Sequence, residues 1–239
     1  RKHKLFLVED CAHAHGSEWK GQKVGSLGAC GTFSFQASKL MTAGEGGIIV
    51  TGDADLEVRL RSVHDCGRMP GEWFYSHFIN GSNYRLSEWQ GAVLSEQLKR
   101  LDGQAAQRTM NAAYLDRELA KIEGIRPQKR DARVTRNGNY CYIFHYDPKA
   151  FHGLKAEKFI EAFNAEGIPT QASYPALRKL AVFQNGEYRK RLSPEVAKEQ
   201  HAFLNQDFPV TDDAAENTIW LVHRTLLGTE QDAAEIVEA

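Results

Sequence analysis

Thr32-Phe-Ser-Phe-Gln-Ala-Ser-Lys39-Leu-Met-Thr-Ala-Gly-Glu-Gly-Gly47 is the stretch from which the rest of the chain can be read. It starts as an alternating apolar strand (Phe33, Phe35), passes through small residues to a lone lysine, and ends in a glycine-rich turn. Ile48-Ile-Val50 then reads as a further strand. A lysine on a tight connection between two core strands is expected to lie beside buried apolar surface. Burial disfavours the ammonium form, so a neutral, nucleophilic amine becomes accessible, and that is what a Schiff-base lysine requires. Upstream, Leu5-Phe-Leu-Val-Glu-Asp10 reads as a buried strand delivering a carboxylate at its C-terminal end. A strand-end aspartate, followed by a lysine with Ser34 five residues before it, is the decisive pattern.

The 239 residues allow one large domain or two modest ones with a substantial core. A net charge of -1 gives no electrostatic footprint for nucleic acid or an anionic membrane. No apolar run approaches membrane-spanning length, and Arg1-Lys-His-Lys4 precedes too short an apolar run for a signal peptide. Cys11, Cys30, Cys66 and Cys141 show neither a disulfide framework nor C-x-x-C spacing, so cytoplasm is the expected location. There is no internal repeat and no low-complexity tract.

Along the chain, Trp19 to Gly25 reads as a glycine-bounded turn segment. Asp53 opens a helix with Leu56, Leu60 and Val63 on one face. Gly67 to Ser82, rich in glycine and aromatics, reads as a long loop. Ser87-Glu-Trp-Gln90 is a capping box for the next helix, with Trp89, Val93 and Leu94 expected on its buried side. A separate helix after Gly103, carrying Leu115, Leu119 and Ile122, is expected to link two domains. Asn139 to Tyr146 then reads as an aromatic strand, and Leu154 to Glu166 as a helix closed by Gly167. Ser193-Pro194 starts a helix, Thr218 to Val222 is a strand, and Thr229-Glu-Gln-Asp232 caps the last helix. This order suggests a compact α+β domain.

Three ordered motifs, Glu9-Asp10-Cys-Ala-His13-Ala-His-Gly16, Ser34-Phe-Gln-Ala-Ser-Lys39 with Gly44-Glu-Gly-Gly47, and Gly81-Ser-Asn83-Tyr-Arg-Leu-Ser-Glu88, resemble the DegT/DnrJ/EryC1/StrS family. These are pyridoxal-phosphate-dependent sugar and cyclitol aminotransferases, and the wording is nearest to the inosose aminotransferase and 3-amino-5-hydroxybenzoate synthase branches. The resemblance implies an α/β fold of type I. Residues 1–105 would be the C-terminal part of the large cofactor domain, with its mixed sheet, and 106–239 a small α+β C-terminal domain. Family members carry a further long N-terminal portion, so the chain is expected to be the C-terminal part of a longer protein.

The resemblance implies pyridoxal 5′-phosphate as cofactor, held as an aldimine on Lys39. Asp10 would pair with the pyridinium nitrogen and sustain the electron sink. Ala12 would pack under the ring, His13 would donate to its phenolic oxygen, and Ser34 would hold a phosphate oxygen. Asn83 would reach the phosphate of a neighbouring subunit's cofactor, which implies a homodimer with shared sites. The activity implied is transfer of an amino group from glutamate or glutamine to a keto-sugar or keto-cyclitol, in antibiotic or polysaccharide precursor biosynthesis. The alternatives are a dehydratase/aromatase like the aminohydroxybenzoate branch, or a non-catalytic binding protein on the same scaffold. Lys39 argues against a dehydratase branch that carries His at this position.

Each residue also has a plainer reading. Lys39 taken alone is an exposed loop lysine, Asp10 a helix N-cap, Ser34 a strand serine bonded to backbone, and Asn83 a turn residue. Cys11, His13 and His15 raise the question of zinc, but no second ligand cluster follows at a recognisable spacing, and no metal is expected. His15 reads as a structural hydrogen-bonding residue. Tyr174, Trp220, His223 and Arg224 read either as the lining of a polyol or carboxylate pocket or, more plainly, with Trp220 in the core and Arg224 on the surface of the second domain.

Overall fold

A computed structural model describes residues 3–239, and Arg1, with Lys2, lies outside the described residues. The chain divides into two compact units, Arg1–Met110 with Arg130–Tyr140, and Asn111–Lys129 with Cys141–Ala239.

In the first unit the chain forms β1 (Val8–Asp10), β2 (Glu18–Trp19), β3 (Gln22–Lys23), β4 (Cys30–Ser34) and β5 (Gly47–Val50). Helix α1 (Ala54–His64) follows, and then α2 (Glu88–Leu119), whose residues up to Met110 belong to this unit and those from Asn111 to the second. Strand β4 is central to a mixed sheet, parallel to β1 with Asp10 opposite Thr32, and antiparallel to β5. The segment expected as a simple turn is the β2-β3 hairpin. Its two-residue connection, Lys20-Gly21, has φ of 50° and 76°, the doubly positive geometry that matches strand twist.

Two sequence expectations fail here. The strand at the N-terminus is short, and Leu5, Phe6, Leu7 and Val8 are exposed; so are Ile48, Ile49 and Val50 of β5. Alternation identified the strands but not which faces are covered. The core of this unit instead gathers Phe35, Met41, Leu94 and Leu101.

Helix α2 starts as expected: Ser87 Oγ accepts from Gln90 N at 3.4 Å, and Gln90 Oε1 accepts from Ser87 N at 3.1 Å. Its buried side matches the expectation at Leu94 but not at Trp89 and Val93, which are exposed, while Leu101 is buried. It also runs unbroken through Gly103, so the separate later helix does not exist. Gly103 is on an open side where a Cβ would meet nothing within 4 Å, and a mid-helix glycine there costs only about 1 kcal/mol. The Asp53 side chain caps α1 by accepting from Asp55 N and Leu56 N.

The chain continues with β6 (Ile125–Pro127), in the second unit, and β7 (Val134–Arg136), which pairs with β2 in the first. The second unit adds β8 (Cys141–Tyr146), α3 (Ala156–Ala165), β9 (Thr170–Ala172) and α4 (Ala181–Gln184). It ends with α5 (Pro194–Leu204), α6 (Pro209–Asn217), β10 (Thr218–Val222) and α7 (Glu230–Glu238). Its sheet is antiparallel, in the order β6-β8-β10-β9. Alternate residues Tyr142, Phe144 and Tyr146 of β8 point inward and meet Ile219 and Leu221 of β10 in a core with Leu115, Phe163 and Leu226. Ser193 and Thr229 cap their helices as expected, the latter in a full capping box with Asp232. Among the described residues no helix is long and apolar enough to cross a membrane.

Candidate active site

The site grows from the parallel pair β1 and β4. Asp10 ends β1 opposite Thr32, so Ser34, two residues further along β4, lies at the same carboxyl edge and on Thr32's face. Ligands of open α/β sheets bind beyond such edges. Strand β1 is anchored by Glu9, whose carboxylate accepts backbone hydrogen bonds from Gly25 (2.8 Å), Leu27 (2.7 Å) and Gly28 (2.7 Å). Burial pushes the Glu9 carboxyl up, but the three donors outweigh it and hold the group below its ordinary value.

Asp10 is exposed, and its Oδ1 accepts from Ala12 N at 3.1 Å. No helix follows, so the capping alternative does not apply; the carboxylate closes a tight local turn instead. That turn sets half-buried Ala12 and exposed His13 directly after the strand. Burial pushes the His13 imidazole below its ordinary value, the Lys39 charge lowers it further, and Asp10 opposes both. His15 is buried with its ring against Phe33 and Phe35, and burial lowers it as well. Burial first, then the Glu9 and Asp10 charges, pushes the Cys11 thiol up to about 11.

Lys39 sits half-buried on the turn that leaves β4, next to buried Leu40 and Met41. That turn is closely bonded. Lys39 N donates to Gln36 O (2.9 Å), and Gln36 Oε1 accepts from Ser38 N (2.8 Å) and Ser38 Oγ (2.7 Å). Ser34 Oγ accepts from Gln36 N at 3.4 Å. Gly44 and Gly46, with φ of 83° and 134°, return the chain to β5. At Gly46 a Cβ would sit 2.6 Å from Leu86.

One member of this group is invisible in the sequence. Tyr140 lies flat on His13, with centroids 4.0 Å apart and planes at 7°, and Lys39 Nζ is 4.9 Å from the centre of the same ring. Its hydroxyl is 2.9 Å from Ser38 Oγ. No motif or spacing marks it, because it stands 102 residues from Ser38 and reads as the start of a strand.

The structure thus gathers Asp10, Ala12, His13, Ser34 and Lys39 at one edge of one unit. Asn83 makes its contacts elsewhere: it bridges to Asp65, and its Oδ1 accepts from Arg85 N at 3.2 Å. Asp65 pairs with Arg85 and with Arg68. In the second unit Tyr174 meets Trp220 edge-on at 4.7 Å, while Arg224 lines a separate cleft of about 630 Å³ with Gly167 and Asp232. Among the described residues no three His, Cys, Asp or Glu side chains converge as a metal site would require. An amine, a carboxylate, an imidazole held neutral and a hydroxyl around one strand edge can hold a flat, protonated heterocycle that reacts at a carbonyl.

The model of the DegT/DnrJ/EryC1/StrS aminotransferase family matches residues 1–239. The chain is 39% identical over 251 residues to an L-glutamine:2-deoxy-scyllo-inosose aminotransferase of Streptomyces fradiae, covering 100% of this chain and 58% of the relative. It is 36% identical over 239 residues to a 3-amino-5-hydroxybenzoate synthase of Amycolatopsis mediterranei, covering 97% of this chain and 58% of that protein. Among solved structures, 3-amino-5-hydroxybenzoic acid synthase superposes with a TM-score of 0.78 at 35% identity, over 99% of this chain and 60% of the other. The chain therefore spans about 58% of the length of the curated relatives it matches.

Proposed function

We infer the function from one premise: this chain belongs to the DegT/DnrJ/EryC1/StrS aminotransferase family, and its fold is the α/β fold of type I transferases. On that premise we propose that it is the part of a pyridoxal-phosphate-dependent aminotransferase that holds the reacting lysine. Glutamine or glutamate is the proposed amino donor, and a keto-cyclitol or keto-sugar the acceptor. The observation that carries the proposal is the placement of Lys39 and His13 against one ring, that of Tyr140, with Asp10 ending the strand that runs parallel to β4.

The donor set fits pyridoxal 5′-phosphate. It offers a primary amine for the carbonyl, a carboxylate for the ring nitrogen and an imidazole for the ring oxygen. The Ser34 hydroxyl serves the phosphate, and Ala12 presents a small surface. When bound, the group supplies the electron sink for the carbanion formed at the donor's Cα. Lys39 Nζ would hold the group at its carbonyl carbon and would move the proton at the donor's Cα. Asp10 keeps the proton on the ring nitrogen. His13, kept neutral by burial and by Lys39, donates an N–H without adding charge. Asn83 is proposed to serve the partner's site in a homodimer, which accords with its lying apart from Lys39, and a cytoplasmic location belongs to the same proposal.

The test uses the full-length protein. Borohydride reduction in the presence of pyridoxal phosphate should leave a stable adduct that peptide mapping places on Lys39, and Lys39→Ala should lose both adduct and turnover. An adduct that persists on another residue refutes the assignment. The likeness to 3-amino-5-hydroxybenzoate synthase favours a second reading, a dehydrating, aromatising reaction. Turnover of a keto-cyclitol with glutamine, against aromatisation of a dehydroshikimate-like acid, separates the two.

A further inference from the structure

One side chain that touches both His13 and Lys39, Tyr140, has no part in the function proposed above. We propose that Tyr140 is a positioning residue of the lysine site: its ring fixes His13 and the Lys39 amine relative to each other, and its hydroxyl ties down the turn that carries Lys39. The inference rests on the reading of Lys39 as the reacting amine.

One side chain makes three contacts around that amine: the stack on His13 at 4.0 Å, the ring face 4.9 Å from Lys39 Nζ, and the hydroxyl 2.9 Å from Ser38 Oγ. The direction of the last follows from its neighbours. Ser38 Oγ already donates to Gln36 Oε1, so Tyr140 is the donor to Ser38 Oγ. The ring face also attracts an ammonium group and so gives Lys39 a preferred resting place between reaction events.

Tyr140 is itself held firmly. The turn before it, Asn137-Gly138-Asn139, is fastened on both sides of Gly138. Gly138 N donates to Ser17 Oγ at 2.8 Å, and Gly138 O accepts from Arg108 Nε at 2.8 Å. Asn139 is buried with φ of 52°; its N donates to Asn137 Oδ1 and its Oδ1 accepts from Arg130 Nη1. Arg108 is wholly buried, and burial pulls its guanidinium down to about 10. Burying a cation to hold one carbonyl is costly, and the carbonyl it holds is the one that places Tyr140. A Cβ on Gly138 would lie 2.5 Å from His15 O, so the turn lies directly against the segment that carries His13. A ring serving only to fill space would need none of these fastenings.

The experiment compares Tyr140→Leu, Tyr140→Phe, Ser38→Ala and the Phe/Ala double variant in the full-length protein. Tyr140→Leu should lower kcat by about 10- to 100-fold, as a misplacement near 1 Å does, with KM for the amino donor changed by less than about threefold. Tyr140→Phe should lower kcat by about three- to tenfold, the worth of one hydrogen bond, and Ser38→Ala by at least as much, because it also removes the bond to Gln36 Oε1. The double variant should be no worse than Ser38→Ala, because that change already removes the bond that Tyr140→Phe removes. In the cofactor-free protein, NMR titration should show the His13 midpoint rising towards its ordinary value in Tyr140→Leu and unmoved in Tyr140→Phe.

Wild-type kcat in Tyr140→Leu, or losses in the double variant that multiply, overturn the inference. So do losses that merely follow a fall in Tm; if the Leu variant fails to fold, the Phe and Ala variants decide. A wild-type protein without a reducible adduct on Lys39 fails the functional reading and this inference together. A normal adduct with an indifferent Tyr140 fails this inference alone.

Discussion

Glu9→Gln is the substitution whose cost can be worked most directly from the structure. The wild-type carboxylate serves three backbone N–H groups at 2.7–2.8 Å. A glutamine oxygen can serve two, and its NH2 then faces the third donor. Hydrogen bonds to a charged acceptor are worth about 1.5–3 kcal/mol against about 0.5–1.5 for neutral ones, and a stranded donor costs about 1–3. Two weakened bonds and one lost, offset partly by water at this half-exposed position, come to about 2–3 kcal/mol. At about 2–4 °C per kcal/mol for a chain of this size, Tm should fall by about 4–12 °C. The pH dependence has a definite sign. Glu9's carboxyl is held below its ordinary value of 4.5, so its stabilisation is present above that pH and is lost as pH falls through the folded value. Thermal unfolding of both proteins at pH 7 and then at steadily lower pH should show a gap that is wide at pH 7 and narrows only on the acid side of 4.5. Equal melting at pH 7, or a gap that stays constant, refutes the anchoring of β1 by Glu9.

Three further outcomes follow from the site. Asp10→Asn should lower kcat by about two to four decades, since each 1.4 kcal/mol of lost carbanion stabilisation is tenfold; steady-state rates within tenfold of wild type contradict the ring-nitrogen role. His13 is held below its ordinary value of 6.5, so it protonates only on the acid side of that pH. His13→Gln, which keeps a neutral donor, should therefore retain most activity and lose that limb from the pH profile of kcat/KM. Gly138→Ala forces a Cβ to within 2.5 Å of His15 O and should cost about 1–3 kcal/mol in denaturant unfolding; an unchanged midpoint would show that the turn does not lie there.

What the sequence made legible was whatever local chemistry decides. Asp53, Ser87, Ser193 and Thr229 each cap the helix they announce, because a side-chain oxygen satisfies orphan N–H groups whatever the tertiary context. Asp10, His13 and Lys39 were legible as a site because their order carries the resemblance, and the parallel pairing of β1 with β4 then brings them to one edge. Burial was less legible. Trp89 and the β5 residues Ile48 to Val50 belong to apolar patterns and are nevertheless exposed, since a period specifies a face but not what covers it. The run of α2 through Gly103 was hidden because one glycine penalty is small beside the packing of Leu94, Leu101 and Leu115 on either side of it. Tyr140 was hidden for another reason: its place depends on Arg108 and Ser17, contacts of long sequence separation that no local rule encodes.

The fastening of Gly138 has a bearing on how the protein ages. Asn-Gly pairs are prone to spontaneous deamidation, in which the glycine nitrogen attacks the asparagine side chain through a cyclic imide, and asparagine counts among the thermolabile residues. The chain has three such pairs, at Asn80, Asn137 and Asn185. At Asn137 the side-chain carbonyl is engaged by Asn139 N, as that of exposed Asn185 is by Glu187 N, but at Asn137 the attacking nitrogen is also engaged, by Ser17 Oγ. On storage, aspartate and isoaspartate should accumulate at 80 and 185 first, and damage at 137 would mark molecules whose turn had already come undone.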